Sequence, residues 1–141
     1  MKRDASAVWK GGLQDGKGTV STASGVLSAV PYNFRMRFEN ETGTNPEELI
    51  AAAHAACFSM ALSLFLGQAG MTADSIETTA EVTLDRVEGA FTVTSSHLRT
   101  TVKIPNADRA AFEKAAEGAK SGCPISRLLN TKITLDARLV S

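Results

Sequence analysis

The chain is poor in the groups from which many functional sites are built. It holds two cysteines and two histidines in 141 residues. Two cysteines are too few for a disulfide scaffold or a four-cysteine zinc centre. An excess of charge is missing as well, since 15 Lys+Arg balance 15 Asp+Glu. A net charge of zero supplies no basic field for nucleic acid or for an anionic membrane. There is no GxGxxG, no P-loop and no serine elbow. Internal repeats, low-complexity tracts and long linkers are also missing.

What is present suits a globular protein. Hydrophobic residues make up 43% and charged residues 21%, which excludes a disordered or fibrous chain. The length predicts a single domain over residues 1–141. Met1-Lys2-Arg3-Asp4 carries charge but no apolar run follows it, so it does not read as a secretory signal. The expected location is cytoplasmic, where thiols stay reduced. The 25 residues from Leu49 to Ala73 lack a formal charge and raise the question of a membrane span. His54, Ser59, Ser63 and Gln68 interrupt them, and the longest strictly apolar stretch is Leu49–Ala53. A buried helix outside any membrane is the expectation.

Ala5–Lys10 and Gly18–Ala23 are predicted strands around the turn Gly11-Gly12…Asp15-Gly16. Tyr32–Glu39 alternates and predicts another, with Tyr32, Phe34, Met36 and Phe38 on one face and Asn33, Arg35 and Arg37 on the other. Asn45-Pro46-Glu47-Glu48 is a strong helix start: Asn45 caps, Pro46 takes the first position, and Glu48 stands three residues after the cap. The helix should run to about Ala69, with Gly70 as its stop, a rod of about 36 Å. Ser75–Arg86 alternates as a strand, Glu88-Gly89 reads as a hairpin turn, and the return strand changes phase near Ser95–His97, which suggests a bulge. A second helix is expected over about Ala107–Lys120. Pro124 starts a short third one through Leu129, and Lys132–Val140 closes the chain as a strand.

Hairpin-joined strands with single helices between them predict an α+β fold with antiparallel sheets. The long uncharged helix needs cover on every side. One chain of this size does not supply it, so a homodimer is expected, with two sheets enclosing paired central helices.

The two cysteines sit in different contexts. Cys57 is mid-helix, and Ile50, Ala53, Ala61 and Leu64 fall within about 40° of it around the helix axis. A lone cysteine on such a stripe is usually a small buried hydrophobe. Cys123 follows a glycine and precedes Pro124 at a helix start, where backbone N–H groups favour negative charge and would lower a thiol pKa. A cap cysteine without chemistry is the bland alternative. Two thiols also permit a specific reaction: one thiolate attacks an oxidant and becomes a sulfenic acid, and the second condenses with it to a disulfide. The attacking thiolate needs a nearby cation. Arg35 and Arg37 are candidates, against the alternative of a solvated strand face.

The string Gly43-Thr44-Asn45-Pro46-Glu47-Glu48-Leu49-Ile50, continued by Ala52-Ala53-His54-Ala55-Ala56-Cys57-Phe58-Ser59-Met60-Ala61-Leu62, resembles the osmotically inducible protein C (OsmC) family. So do Gly16-Lys17-Gly18-Thr19-Val20-Ser21-Thr22, Arg37-Phe38-Glu39 and Ala119-Lys120-Ser121-Gly122-Cys123-Pro124-Ile125-Ser126. The resemblance covers essentially the whole chain. It is nearer the OsmC branch than the related organic hydroperoxide resistance branch. It implies an intertwined homodimer with sites at the subunit interface. It also implies a cysteine-based, metal-free peroxidase that reduces organic hydroperoxides to alcohols, and hydrogen peroxide less well. By the family pattern Cys57 is peroxidatic and Cys123 resolving, Arg37 stabilises the Cys57 thiolate, and Glu47 holds the arginine. No bound cofactor is implied; the reductant is an external dithiol or lipoyl-type protein. Choosing Arg37 over Arg35 depends on the resemblance.

Glu47 precedes Cys57 by ten residues, so the two lie about 15 Å apart along a straight helix. Glu47 is therefore expected to serve the site of the partner chain. Two rival readings stand beside this one. In one, His54, Cys57, His97 and Cys123 form a Cys2His2 zinc site. In the other, the apolar helix and aromatic segment line a hydrophobic-ligand pocket without turnover. Gly67…Gly70 and Gly11-Gly12 read as turn or cap glycines.

Overall fold

The computed structural model describes all residues from Met1 to Ser141. It comprises two compact units, Met1–Leu49 and Ile50–Ser141.

In the first unit, β1 (Ala5–Lys10), β2 (Lys17–Thr22) and β3 (Val30–Tyr32) form an antiparallel sheet in that order. The β1–β2 turn is closed by the Gly16 N–H, which donates to the Gly12 carbonyl at 2.9 Å. Gly18 on β2 lies against the rings of Trp9 and Tyr32, whose centroids are 5.4 Å apart. A Cβ there would stand 2.6 Å from Tyr32 and 2.7 Å from Trp9, so only glycine lets this aromatic pair close over the strand.

Tyr32–Glu39 does not form the strand that its alternation predicts. The strand stops at Tyr32, and Phe34–Phe38 forms a short helix, α1. Asn33 caps it, its side chain accepting from the Met36 N–H at 2.8 Å. Phe34 and Phe38, four apart, stack with centroids 4.7 Å apart. Spacing of four satisfies a period of two and a helical turn equally well, and the Asn33 cap decides between them.

Helix α2 (Pro46–Gln68) begins in the first unit and runs through the second. Its start is as expected: the Asn45 side chain accepts from the Glu48 N–H at 2.8 Å. Its stop is a left-handed Gly70 with φ +73°. There the Gly70 N–H donates to the Gly67 carbonyl and the Met71 N–H to the Leu66 carbonyl, a Schellman closure.

In the second unit, β4 (Ser75–Val87) and β5 (Ala90–Lys103) form a long hairpin. Glu88 and Gly89 both have positive φ, as the tight turn requires. The register shifts between Thr83 and Leu84, which pair with Ser95 and Val93, so Thr94 is the extra residue. The bulge thus sits one residue before the expected phase change. After α3 (Arg109–Gly122) and α4 (Pro124–Leu128), β6 (Lys132–Val140) joins the other edge of β5. It does so in parallel, which corrects the expectation of purely antiparallel sheets. The physical reason is the connection: two helices between β5 and β6 carry the chain back to the same end of the sheet. The α+β class stands.

The core of this unit is one layer of contacts between α2, β5 and α3. Phe58, Leu62 and Leu66 of α2 meet Leu98 and Val102 of β5 and Phe112 and Ala119 of α3. Burying each of the larger side chains contributes about 1.5–3 kcal/mol. Within this unit the buried positions on α2 (His54, Phe58, Leu62, Leu66) recur every four residues and make a single stripe. Cys57 sits at the edge of that stripe, half-buried. Ala53 and Leu64, expected beside it on an apolar face, are exposed, and so is Met60. By length and composition alone, α2 is long and apolar enough to cross a membrane. It nevertheless carries a fully buried histidine and two serines at Ser59 and Ser63.

Candidate active site

Each unit positions one pair of the residues singled out from sequence. In the first, the turn after α1 brings Arg37 to Glu47 at the start of α2. The contact is a two-point fork: Nε donates to Oε2 at 3.1 Å and Nη2 to Oε1 at 2.7 Å. Such paired, charge-assisted bonds fix the plane of the guanidinium as well as its place. Only 11% of the Glu47 side chain is exposed, against 35% for Arg37, so one edge of the cation stays available. The guanidinium also lies 5.1 Å from the Phe38 ring centroid. Arg35, the second candidate cation, is occupied at the surface by Glu39 and Glu41 at 3.2 and 3.5 Å. Arg37 lines a pocket of about 280 Å³ whose other walls are Trp9, Leu13, Tyr32, Asn33, Phe34 and Phe38.

In the second unit the fold brings Cys57 and Cys123 together. Both thiols are free, and Cys57 packs against the core cluster that holds Cys123, near enough for Cys123 to raise the Cys57 pKa. Cys123 is fully buried and caps α4. Its sulfur accepts from the Ser126 N–H at 3.3 Å and donates its own proton to Ser126 Oγ at 3.2 Å. The backbone of Ile125, in the same turn, lies near enough to Cys57 to favour its thiolate. The first turn of α4 therefore addresses both sulfurs.

Burial pushes the Cys57 thiol above its ordinary pKa, and the neighbouring Cys123 adds to that. The Ile125 N–H works the other way. None of these groups is a cation. A thiolate at Cys57 at neutral pH thus requires positive charge brought to it.

His54 is buried and satisfied, as the plainer sequence reading holds, by partners that its sequence context does not predict. Nδ1 meets Ser96 Oγ at 2.7 Å and Nε2 meets Ser126 Oγ at 2.8 Å. Burial lowers its pKa below the usual value, leaving the ring neutral. Ser126 thus contacts His54 and Cys123 at once. Its place three residues after a capping cysteine was a readable signal; Ser96 and Ser126, 42 and 72 positions from His54, offered none as partners of it.

The Cys2His2 set is not assembled. Both ring nitrogens of His54 are taken by serines, and His97 faces Thr134 and Asp136. No group of three or more His, Cys, Asp or Glu side chains is arranged to hold a metal ion.

The α+β chain thus carries two free thiols, the minimum that thiol–disulfide chemistry needs. The family profile described as OsmC-like protein matches residues 38–138, and the chain belongs to the OsmC family. It is 55% identical over 141 residues to "Peroxiredoxin OsmC" of Escherichia coli strain K12, covering all of this chain and 99% of that one. "Organic hydroperoxide resistance protein OhrB" of Bacillus subtilis is 30% identical over 123 residues, covering 86% and 87% of the two chains. Among solved structures, the OhrB crystal structure matches with a TM-score of 0.68 and 27% identity, covering 97% of this chain and 98% of that one. An OsmC-like protein from Mycoplasma pneumoniae shares the fold with a TM-score of 0.77 at 17% identity, over 100% and 99% of the chains.

Proposed function

We propose that this protein is a cysteine-based peroxidase that reduces organic hydroperoxides through Cys57 and Cys123. The observation that carries the reading is the meeting of two free thiols, one half-buried and one fully buried, at the first turn of α4. The half-buried Cys57 is the group a peroxide reaches. Its thiolate attacks the peroxide oxygen distal to the organic group, the O–O bond breaks, and an alcohol leaves as Cys57 becomes a sulfenic acid. Cys123 then attacks the Cys57 sulfur, water leaves, and a disulfide remains. An external dithiol or lipoyl-type protein returns both thiols to the reduced state; no bound cofactor takes part.

Arg37 supplies the positive charge that Cys57 needs, and the fork from Glu47 aims it. A cation so placed lowers the thiol pKa and stabilises charge developing on the departing alkoxide. The aromatic pocket beside Arg37 suits a greasy peroxide, which favours organic hydroperoxides over hydrogen peroxide. Glu47 stands ten residues before Cys57 on one continuous helix, which supports delivery of the Arg37–Glu47 pair to the partner chain's Cys57. The exposed apolar side of α2, with Ala53, Met60 and Leu64, supports a homodimer built on this helix. Free thiols throughout fit a reducing compartment such as the cytoplasm.

The test is steady-state turnover of cumene hydroperoxide with dithiol reductant. Cys57→Ser is expected to abolish it. Cys123→Ser is expected to leave a single turnover and expose Cys57 to overoxidation. Unchanged steady-state rates in Cys57→Ser contradict the reading.

A further inference from the structure

Cys123 is fully buried, so no bulk water stands beside it to take its proton when it attacks. Its hydrogen bonds lead in one direction. The Cys123 thiol donates to Ser126 Oγ at 3.2 Å, and Ser126 Oγ lies 2.8 Å from His54 Nε2. Because Ser126 accepts from the thiol, its own hydroxyl proton is free to point at Nε2. The ring proton then sits on Nδ1 and goes to Ser96 Oγ at 2.7 Å. In this arrangement the Cys123 thiol, the Ser126 hydroxyl and the Nδ1–H each have an acceptor, and no buried side-chain N or O atom lacks a partner.

We propose that Ser126 and His54 form a proton relay for the resolving step, with Ser126 as the hydroxyl that takes the Cys123 proton and His54 as the positioning residue and terminal base behind it. The inference rests on the peroxidase reading above and assigns the step that follows peroxide cleavage. As the Cys123 sulfur approaches the Cys57 sulfenic acid, its S–H bond breaks and the proton passes to Ser126 Oγ. Ser126 releases its own proton to Nε2. The freed electron pair on Cys123 forms the S–S bond, and the S–O bond of Cys57 breaks with its pair on the departing hydroxide. Cys123 is oxidised and the Cys57 sulfur reduced. The hydroxide takes a proton from solvent at the half-exposed Cys57, and the imidazolium later gives one back, so the net product is one water. Burial that disfavours the imidazolium keeps His54 an empty acceptor beforehand and makes it give the proton up afterwards.

The relay is tested by rapid-quench kinetics on reduced protein with one equivalent of cumene hydroperoxide. The Cys57 sulfenic acid is trapped with a cyclic dione, and the disulfide is followed by mass in the same samples. Wild type is expected to form the sulfenic acid and close the disulfide in sequence. In His54→Asn and in Ser126→Ala, disulfide closure is expected to slow about a hundredfold relative to sulfenic acid formation, the range of general-base assistance. Ser126→Thr keeps the hydroxyl and is expected to restore closure. A merely structural loss would slow both steps together and would not be limited to closure. Closure at the wild-type rate in both His54→Asn and Ser126→Ala overturns the relay and leaves the peroxidase reading intact. Absence of both the Cys57 sulfenic acid and the disulfide in wild type overturns the peroxidase reading and the relay with it.

Discussion

Cys57 sits within α2 and Cys123 is the cap residue between α3 and α4, yet the fold brings the two thiols near enough for Cys123 to raise the Cys57 pKa. Their asymmetry is the functional point. Cys57 is half-buried and reachable, whereas Cys123 is wholly buried behind it. On the proposed mechanism an oxidant meets Cys57 first, and Cys123 is the thiol that resolves it.

The Arg37–Glu47 fork makes a prediction about rate and stability together. Arg37→Ala is expected to reduce kcat/KM for cumene hydroperoxide by about a hundredfold, the cost of losing one preorganised donor at a charge-developing site. It also leaves Glu47, mostly buried, without its cation. With Arg37 partly exposed, the expected loss is about 1–2 kcal/mol, read from urea unfolding. Glu47→Gln keeps a hydrogen bond and should lose less of both. Full peroxidase activity in Arg37→Ala would remove the arginine from the reaction.

His54 gives a pH signature. Its folded pKa is lowered from the ordinary 6.5, so the unfolded chain takes up a proton that the folded chain refuses. Its contribution to stability is therefore intact above about pH 6.5 and is lost as the pH falls below that value. Thermal melts between about pH 7.5 and 5 are expected to show a decline that His54→Asn flattens. Cys57 acts at the other end, because its folded pKa is raised. Reduced protein should lose stability as pH climbs past the ordinary thiol range, and Cys57→Ser should lose less.

Much of the fold was legible because local chemistry and global pattern agreed. Asn45-Pro46 and Gly70 mark both ends of α2, and capping and Schellman bonds form at those residues. Strand β1 runs over Ala5–Lys10 as its spacing predicts. Two features were not legible, for physical reasons. Phe34 and Phe38 satisfy both periods, so the aromatic pattern could not separate a strand from α1. The alternation of β6 carries no direction, so its parallel pairing with β5 could not be read from Lys132–Val140.

The site divides in the same way. Cys57 and Cys123 stood out by scarcity and context, and Arg37 with Glu47 by resemblance. The contacts of His54 with Ser96 and Ser126 depend on three distant segments folding onto one point. No spacing rule announces such a contact.

The exposed stripe of α2 predicts an assembly. Met60 is 76% exposed and Leu64 60%, on a helix with no charge between them. Met60→Asp or Leu64→Asp is expected to shift the protein from dimer to monomer in light scattering. Because the Arg37–Glu47 pair is assigned to the partner's Cys57, peroxidase activity should fall with the dimer. A monomeric variant that retains full activity would place the pair in its own chain's site.

The most direct measurement of the central claim is thiol mapping by mass after one equivalent of organic hydroperoxide is added to fully reduced protein. The account predicts an intrachain disulfide between Cys57 and Cys123, with both free thiols consumed and the alcohol formed in equal amount. Both cysteines still reduced after the peroxide has had time to react, or a disulfide joining Cys57 only to another chain, would contradict it.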